Sequence, residues 1–383
     1  MSHRGLVVAA LGTTQTLAWA SSYYLPAILA DDMAASAGVP RAWVFGAFSG
    51  ALLLTAALGP WVGRTIDRRG GRGVLAASNL VFAIGLVVLG ASNGIEIQCA
   101  AWVLLGVGMA LGLYDAAFAT LAGIYGRDAR GPITGITLIA GFASTIGWPL
   151  SALLDAQLGW RGGCFVWAAM HIAIGLPLNV LLVPRASQPA EHAEQTPASW
   201  EPRREMILLA YVFAAAWFVT GAMAAHLPSL FEMIGATTVQ AVAAAALVGP
   251  AQVAARLAEF IIMRRVHPLV SARIAASMHP IGAAVLVAFG APAAPAFALL
   301  HGAGNGLLTI ARGTVPLALF GPVNYGARTG LLGAPARAAQ AAAPLLFGLL
   351  MDSIGRWVLA VSAGLCLSAL ATLLLLRTSE PDV

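Results

Sequence analysis

Twelve long apolar segments, split six and six by one polar stretch, decide what this chain can become. They run at about 5–30, 43–63, 74–92, 97–123, 132–154, 161–183, 206–230, 239–263, 268–290, 294–320, 326–351 and 356–377. A bilayer core ~30 Å thick takes ~20 apolar residues per helical crossing. Lipid admits only helices or closed barrels, because every backbone polar group must be paired internally. Uninterrupted apolar runs without period-2 alternation select helices. Charged residues make up 10% of the chain and hydrophobic ones 59%, where a soluble domain carries ~25% charged residues. The expected fold is an all-α membrane protein with twelve transmembrane helices in two six-helix bundles, embedded in the lipid bilayer.

Charge sets the orientation. All the basic residues are arginine, and they are unevenly placed. With the N-terminus inside, the inner loops and termini hold Arg4, Arg64, Arg68, Arg69, Arg72, Arg127, Arg130, Arg185, Arg203, Arg204, Arg264, Arg265, Arg273, Arg328 and Arg377. The outer loops hold only Arg41, Arg161 and Arg356. This bias predicts cytoplasmic termini. The pI near 9.6 is then a topology signal and gives no reason to expect nucleic acid. Met1 to Arg4 lead straight into the first segment without a small-residue cleavage site, so no signal peptide is expected. Cys99, Cys164 and Cys366 lie in or beside separate segments and suggest neither a disulfide framework nor a metal pair.

The polar stretch, 184–205, divides a first bundle (1–183) from a second (206–383), and the halves echo one another. Leu25-Pro26 recurs as Leu227-Pro228, and Gly106-Val107-Gly108 as Gly302-Ala303-Gly304. Thr134-Gly135 and Pro149 recur as Thr329-Gly330 and Pro344. Asp155 and Gly159 match Asp352 and Gly355. Four matches in one order mark a repeat. Bundles related by an axis along the membrane normal place a binding site near the midplane, where the repeats meet.

The connection between segments 2 and 3 reads Gly63-Arg64-Thr65-Ile66-Asp67-Arg68-Arg69-Gly70-Gly71-Arg72. It resembles the G-x-x-x-D-R-x-G-R loop of the major facilitator superfamily, with one extra residue before the last arginine. A degenerate second copy, Ala255-Arg256-Leu257-Ala258-Glu259, ends segment 8. Segments 138–145 and 304–314 are similar to a bacterial branch near monocarboxylate-type and arsenite-efflux carriers. The resemblance implies the major facilitator fold, no cofactor, no enzymatic activity and an inner-membrane location. It also implies a gate formed by Gly63, Asp67, Arg68, Gly70 and Arg72, echoed by Arg256 and Glu259. In that gate Asp67 faces the positive N-terminus of segment 11.

Polar residues inside the bilayer mark the cavity, because a midplane charge costs ~2.5–3.5 kcal/mol even on lenient scales. Asp115 and Arg312 each lie about two-thirds along their segments, and the repeat sets Asp115 opposite Ala311, beside Arg312. They are expected to pair. Asn305, Thr309 and Arg312 share one helical face of segment 10, and Arg337 and Gln340 one of segment 11. Segment 1 offers Gln15, Trp19 and Tyr23 with Tyr24 beside them; segment 4 adds Tyr114, and segment 5 adds Ser144 and Trp148. His226 stands where the repeat has Tyr24, and is a proton candidate with Asp115 and Glu259. His171, His279 and His301 also fall inside segments.

The reading is a monomeric secondary transporter that moves a small solute by alternating access, coupled to protons. Arg312 and Arg337 favour a small organic anion, since arginine grips a carboxylate with two parallel hydrogen bonds. Gly147-Trp148-Pro149 partly matches an antiporter pattern and tilts the reading toward export. Rivals are a metalloid (arsenite-like) or drug efflux carrier, and a non-transporting membrane receptor. Neither a nucleophile elbow, HExxH, nor a phosphate loop is present in the sequence.

Overall fold

The computed structural model describes residues 3–185, 204–263 and 266–376. Arg203, Arg264, Arg265 and Arg377, with nearly all of the polar connection, lie outside the described residues. The twelve expected crossings are all helical. α1 runs His3–Ala18, continues as a π-helical turn Trp19–Tyr23, and resumes as Pro26–Ala37. α2 is Arg41–Arg69 and α3 is Gly71–Gly90. α4 comes in two pieces, Ile95–Gly112 and Tyr114–Tyr125. α5 is Arg130–Ala140 plus the first half of Ala143–Met170. Gly159, with φ 71°, breaks that second helix and begins α6. α6 then continues through a π-helical turn, His171–Gly175, to Leu176–Leu182.

α7 is Arg204–Met233, and α8 joins Thr238–Ala245 to Val248–Ile261. α9 is Pro268–Phe289, α10 is Ala294–Phe320, α11 is Tyr325–Ile354 and α12 is Val358–Leu375. Large apolar side chains such as Leu181, Val239, Val287 and Phe289 are exposed, as a lipid-facing surface requires.

The breaks have local causes. Pro26 carries no N–H and crowds the preceding turn, so α1 widens before it. The Tyr24 N–H there bonds the Trp19 carbonyl, five residues back, at 3.0 Å. In α4, Leu113 is extended (φ −83°, ψ −174°), and a fresh helix begins at Tyr114. α10 stays continuous across Pro316, and α11 across Pro335 and Pro344.

Packing divides the chain into two compact units. The first is Met1–Ala198 with Gly321–Ala334; the second is Ser199–Phe320 with Pro335–Val383. The division differs from one drawn at the polar connection: the opening residues of α11 pack with the first unit. Two glycine pairs explain this. A Cβ on Gly330 would come 2.5 Å from the Gly59 carbonyl oxygen, and one on Gly63 would overlap the Gly326 carbonyl. Each helix thus presents glycines four residues apart, which lets backbones touch in a membrane.

Within each unit the repeat is visible as matching contacts. In the first, a Cβ on Gly106 of α4 would stand 2.8 Å from the Ala51 carbonyl oxygen of α2. In the second, a Cβ on Gly302 of α10 would stand 2.5 Å from the Val248 carbonyl oxygen of α8. Each unit also ties its third helix to its sixth with a buried polar bond. His171 Nδ1 donates to Asn79 Oδ1 at 2.9 Å, and the Asn79 amide donates to Leu75 O. In the second unit His279 Nε2 lies 3.0 Å from Ser362 Oγ. The Ser362 hydroxyl donates to Leu359 O, so it accepts from His279. His279 Nδ1 meets His301 Nδ1 at 3.0 Å. These three histidines therefore have structural partners in the cores.

Candidate functional site

Each unit carries its own set of the expected cavity residues. In the first, the widened turn of α1 gathers aromatic rings. Trp19 meets Tyr23 and Tyr114 at 5.0 Å each, and Tyr24 at 6.1 Å. Tyr24 stands edge-on to Trp148 at 5.8 Å, and Tyr23 to Phe48 at 5.4 Å. Gln15 is 1% exposed; its Nε2 donates to the Gly112 carbonyl, which the break in α4 has released, at 2.5 Å. The Gln15 Oε1 and Trp19 Nε1 atoms are buried without a hydrogen-bond partner among the described residues. Asp115 lies in the first turn of the second α4 piece, where the helix dipole favours its negative charge. Ser144 is half-buried on α5, and Trp148 is more exposed.

The second unit holds the basic residues. Arg312 is buried with its guanidinium 4.8 Å from the centre of the Trp217 ring. Asn305 accepts from the Thr220 hydroxyl at 3.1 Å, which joins α7 to the α10 stripe. Arg256 donates to Gln252 Oε1 at 3.2 Å and to Thr309 Oγ1 at 3.4 Å. Arg256 and Glu259 were expected as an inner gate echo. The structure buries both and sets Arg256 beside the α10 stripe. The reason is register: Gly106 meets Ala51 in α2 while Gly302 meets Val248 in α8. Carried along the helix, that match makes Arg256 the counterpart of Gly59 and Glu259 that of Val62, short of the position that corresponds to Asp67.

Arg337 and Gln340 are buried on α11. His226 Nε2 donates to the Pro344 carbonyl at 2.7 Å, and its ring stacks on Phe347. Trp217, Thr220 and Gln252 joined this set without having been singled out in the sequence. Trp217 lies in an apolar run, and Thr220 is a small polar residue with no partner visible in sequence. Gln252 lies one turn before Arg256, a spacing that could have flagged it.

Asp67 caps α11. Its carboxylate oxygens accept from the Gly326 N–H at 2.8 Å and the Ala327 N–H at 2.7 Å. These are orphan donors at a helix N-terminus, where a negative charge is stabilised by ~0.3–1 kcal/mol at exposed sites and up to ~2 kcal/mol in partly buried ones. Burial raises the cost of the charge, and the two N–H groups offset it. Gly70, with φ 78°, ends α2 in a backbone conformation that glycine adopts freely. Arg68 is exposed and Arg72 half-buried. Asp67→Asn keeps one acceptor oxygen but loses the charge. It is expected to leave expression intact and slow transport severalfold in proteoliposomes. Wild-type turnover at equal incorporation would refute the role of this cap.

Comparison with known proteins places this architecture. The family model described as Major Facilitator Superfamily matches residues 7–300. Two solved structures share the fold. The human organic anion transporter MFSD10 (TETRAN) has a TM-score of 0.75 at 19% identity, with 97% of this chain and 100% of that chain covered. The E. coli fucose:proton symporter FucP has a TM-score of 0.75 at 12% identity, with 98% of each chain covered. A search of curated proteins finds no match. With twelve helices, a repeated six-helix plan and a family match over most of its length, this chain belongs to the major facilitator superfamily of multi-pass membrane transporters.

Proposed function

We propose that this chain exchanges a small organic anion for protons across the cytoplasmic membrane, in the direction of export, as a monomer with both termini inside. One observation carries the anion. The second unit buries three arginines, Arg256, Arg312 and Arg337, at 5–6% exposure, against a single buried carboxylate, Glu259, among the described residues. Buried charge is expensive, and apolar packing usually serves stability as well or better. Buried arginines in an intramembrane bundle mark function more often than stability, and arginine holds a carboxylate with two parallel hydrogen bonds. Asn305, Thr309 and Gln340 add neutral hydrogen-bonding groups on the helices that carry those arginines. Asp115 in the first unit, with Glu259 and His226 in the second, supplies proton-accepting groups.

The two fold relatives support this combination by example, one an organic anion transporter and the other a fucose:proton symporter. The rival metalloid reading would lean on Cys99, Cys164 and Cys366. All three are free thiols, and two of them lie in different units.

The test is ligand stabilisation of the purified protein, since a ligand of the native state raises stability by RT ln(1 + [L]/Kd). Small carboxylates should raise the melting temperature, and Arg312→Gln and Arg337→Gln should each remove most of that shift. A shift with neutral sugars or arsenite but none with carboxylates would reject the anion reading. Replacing all three cysteines by serine should leave the carboxylate response unchanged.

A further inference from the structure

We propose that the anion is aromatic, and that the ring cluster of the first unit, at the break in α4, holds its planar end. The inference rests on the organic-anion reading above and names the class of anion. Trp19 sits at the centre of the cluster, within 5.0 Å of both Tyr23 and Tyr114. Trp19, Tyr23 and Tyr24 are only half-buried, so ring surface remains open to a ligand. The arrangement is held in place rather than incidental. The π-helical turn Trp19–Tyr23 rotates these rings relative to a regular helix. The interruption at Leu113 resets the direction of Tyr114, the first residue of the new piece.

Two buried polar atoms sharpen the ligand's chemistry. The Trp19 Nε1–H is a donor with no partner among the described residues, and Gln15 Oε1 is an acceptor with none. They lie one helical turn apart on α1, on one face. A buried polar group without a partner is costly, and such groups in native structures call for a partner. A planar ring that carries a hydroxyl satisfies both: the hydroxyl accepts from the indole and donates to the amide oxygen.

A saturated ring of the same size presents no π-face and packs poorly against edge-on aromatic neighbours.

Thermal unfolding of the full chain in lipid nanodiscs tests this with five probes: 4-hydroxybenzoate, benzoate, cyclohexanecarboxylate, acetate and 4-hydroxybenzamide. The expected order of stabilisation among the acids is 4-hydroxybenzoate, benzoate, cyclohexanecarboxylate, acetate. Loss of ring stacking should weaken aromatic binding about 2- to 12-fold. Trp19→Leu should therefore bring benzoate down to cyclohexanecarboxylate, while Trp19→Phe keeps the aromatic preference. Gel filtration and unliganded melting confirm that both variants fold. Equal shifts from benzoate and cyclohexanecarboxylate in the wild type, or an aromatic preference that survives Trp19→Leu, would overturn the ring site. Stabilisation by 4-hydroxybenzamide but by none of the acids, lost in Trp19→Leu, would uphold the ring site and reject the anion. No shift with any aromatic probe would overturn the inference outright.

Discussion

Gly63→Leu should fold and insert normally, yet lose most of its transport turnover. Local propensity argues the other way, because leucine is better than glycine inside a helix by ~0.7 kcal/mol. Packing decides. A Cβ on Gly63 would overlap the Gly326 carbonyl oxygen, and the next nearest atom is also backbone. Backbone atoms cannot swing aside as a side-chain tip can. Forcing bulk into a packed contact costs ~1–3 kcal/mol, which exceeds the propensity gain. The cost falls only on the state in which α2 and the start of α11 touch. A bias of ~1–3 kcal/mol shifts a two-state equilibrium about 5- to 150-fold. If alternating access opens and closes this contact, the variant accumulates in the other state and cycles slowly. Gly330→Leu should do the same, since a Cβ on Gly330 would stand 2.5 Å from the Gly59 carbonyl oxygen. By contrast Gly73→Ala, with open space around its Cβ, should transport normally. Turnover in proteoliposomes, normalised to incorporated protein, checks all three. Wild-type turnover in Gly63→Leu would mean that the contact is not part of the cycle.

The architecture was legible in the sequence because lipid removes alternatives. Once a run is too apolar for water and too long for a core strand, it must be a helix, and its ends follow. The expected segment at 294–320 is the observed helix Ala294–Phe320, and that at 268–290 ends within one residue of Phe289. Internal breaks were less legible. Pro26 announces the widened turn in α1, but nothing in Met109-Ala110-Leu111-Gly112-Leu113 announces an extended residue inside α4. Pro316, which would stop a helix in water, leaves α10 continuous. Tertiary packing decides these cases, and single-sequence periodicity does not report it.

Asp67 against α11 was readable, because a spaced Gly-Asp-Arg loop at a helix end has few uses. The glycine pairs Gly59/Gly63 and Gly326/Gly330 were passed over for a plain reason: glycine is frequent in this chain, and only the fold shows which glycines touch. Arg256 was expected with Glu259 as a degenerate copy of the gate loop, whereas it is buried beside the α10 stripe. Counting from the buried glycines, Gly106 and Gly302, gives the register that packing uses.

Asp115 and Arg312 should prove energetically coupled, and their loss should have the largest effect on transport. In the sequence repeat Asp115 matches Ala311, the neighbour of Arg312. Arg312 also rests on Trp217, a contact worth ~2 kcal/mol or more when desolvated, so its position does not depend on a carboxylate alone. Asp115 likewise has the helix dipole of its own turn. Each charge is thus held locally, within its own unit.

If the two charges pair in one state of the cycle, neutralising either one alone should cost up to ~3–5 kcal/mol. The double variant should recover stability but not transport. Simple addition of the two single losses, or normal transport by the double variant, would exclude a functional pair. The proton enters the same experiment. An inward pH gradient should drive substrate flux in wild-type vesicles. Asp115→Asn should lose that drive while retaining exchange of substrate for substrate. A ligand shifts a conformational equilibrium only by its differential affinity for the two states, so a proton that binds both states equally does no work. Retained gradient drive in Asp115→Asn would move the proton site to Glu259 or His226, the other titratable groups of the candidate cavity.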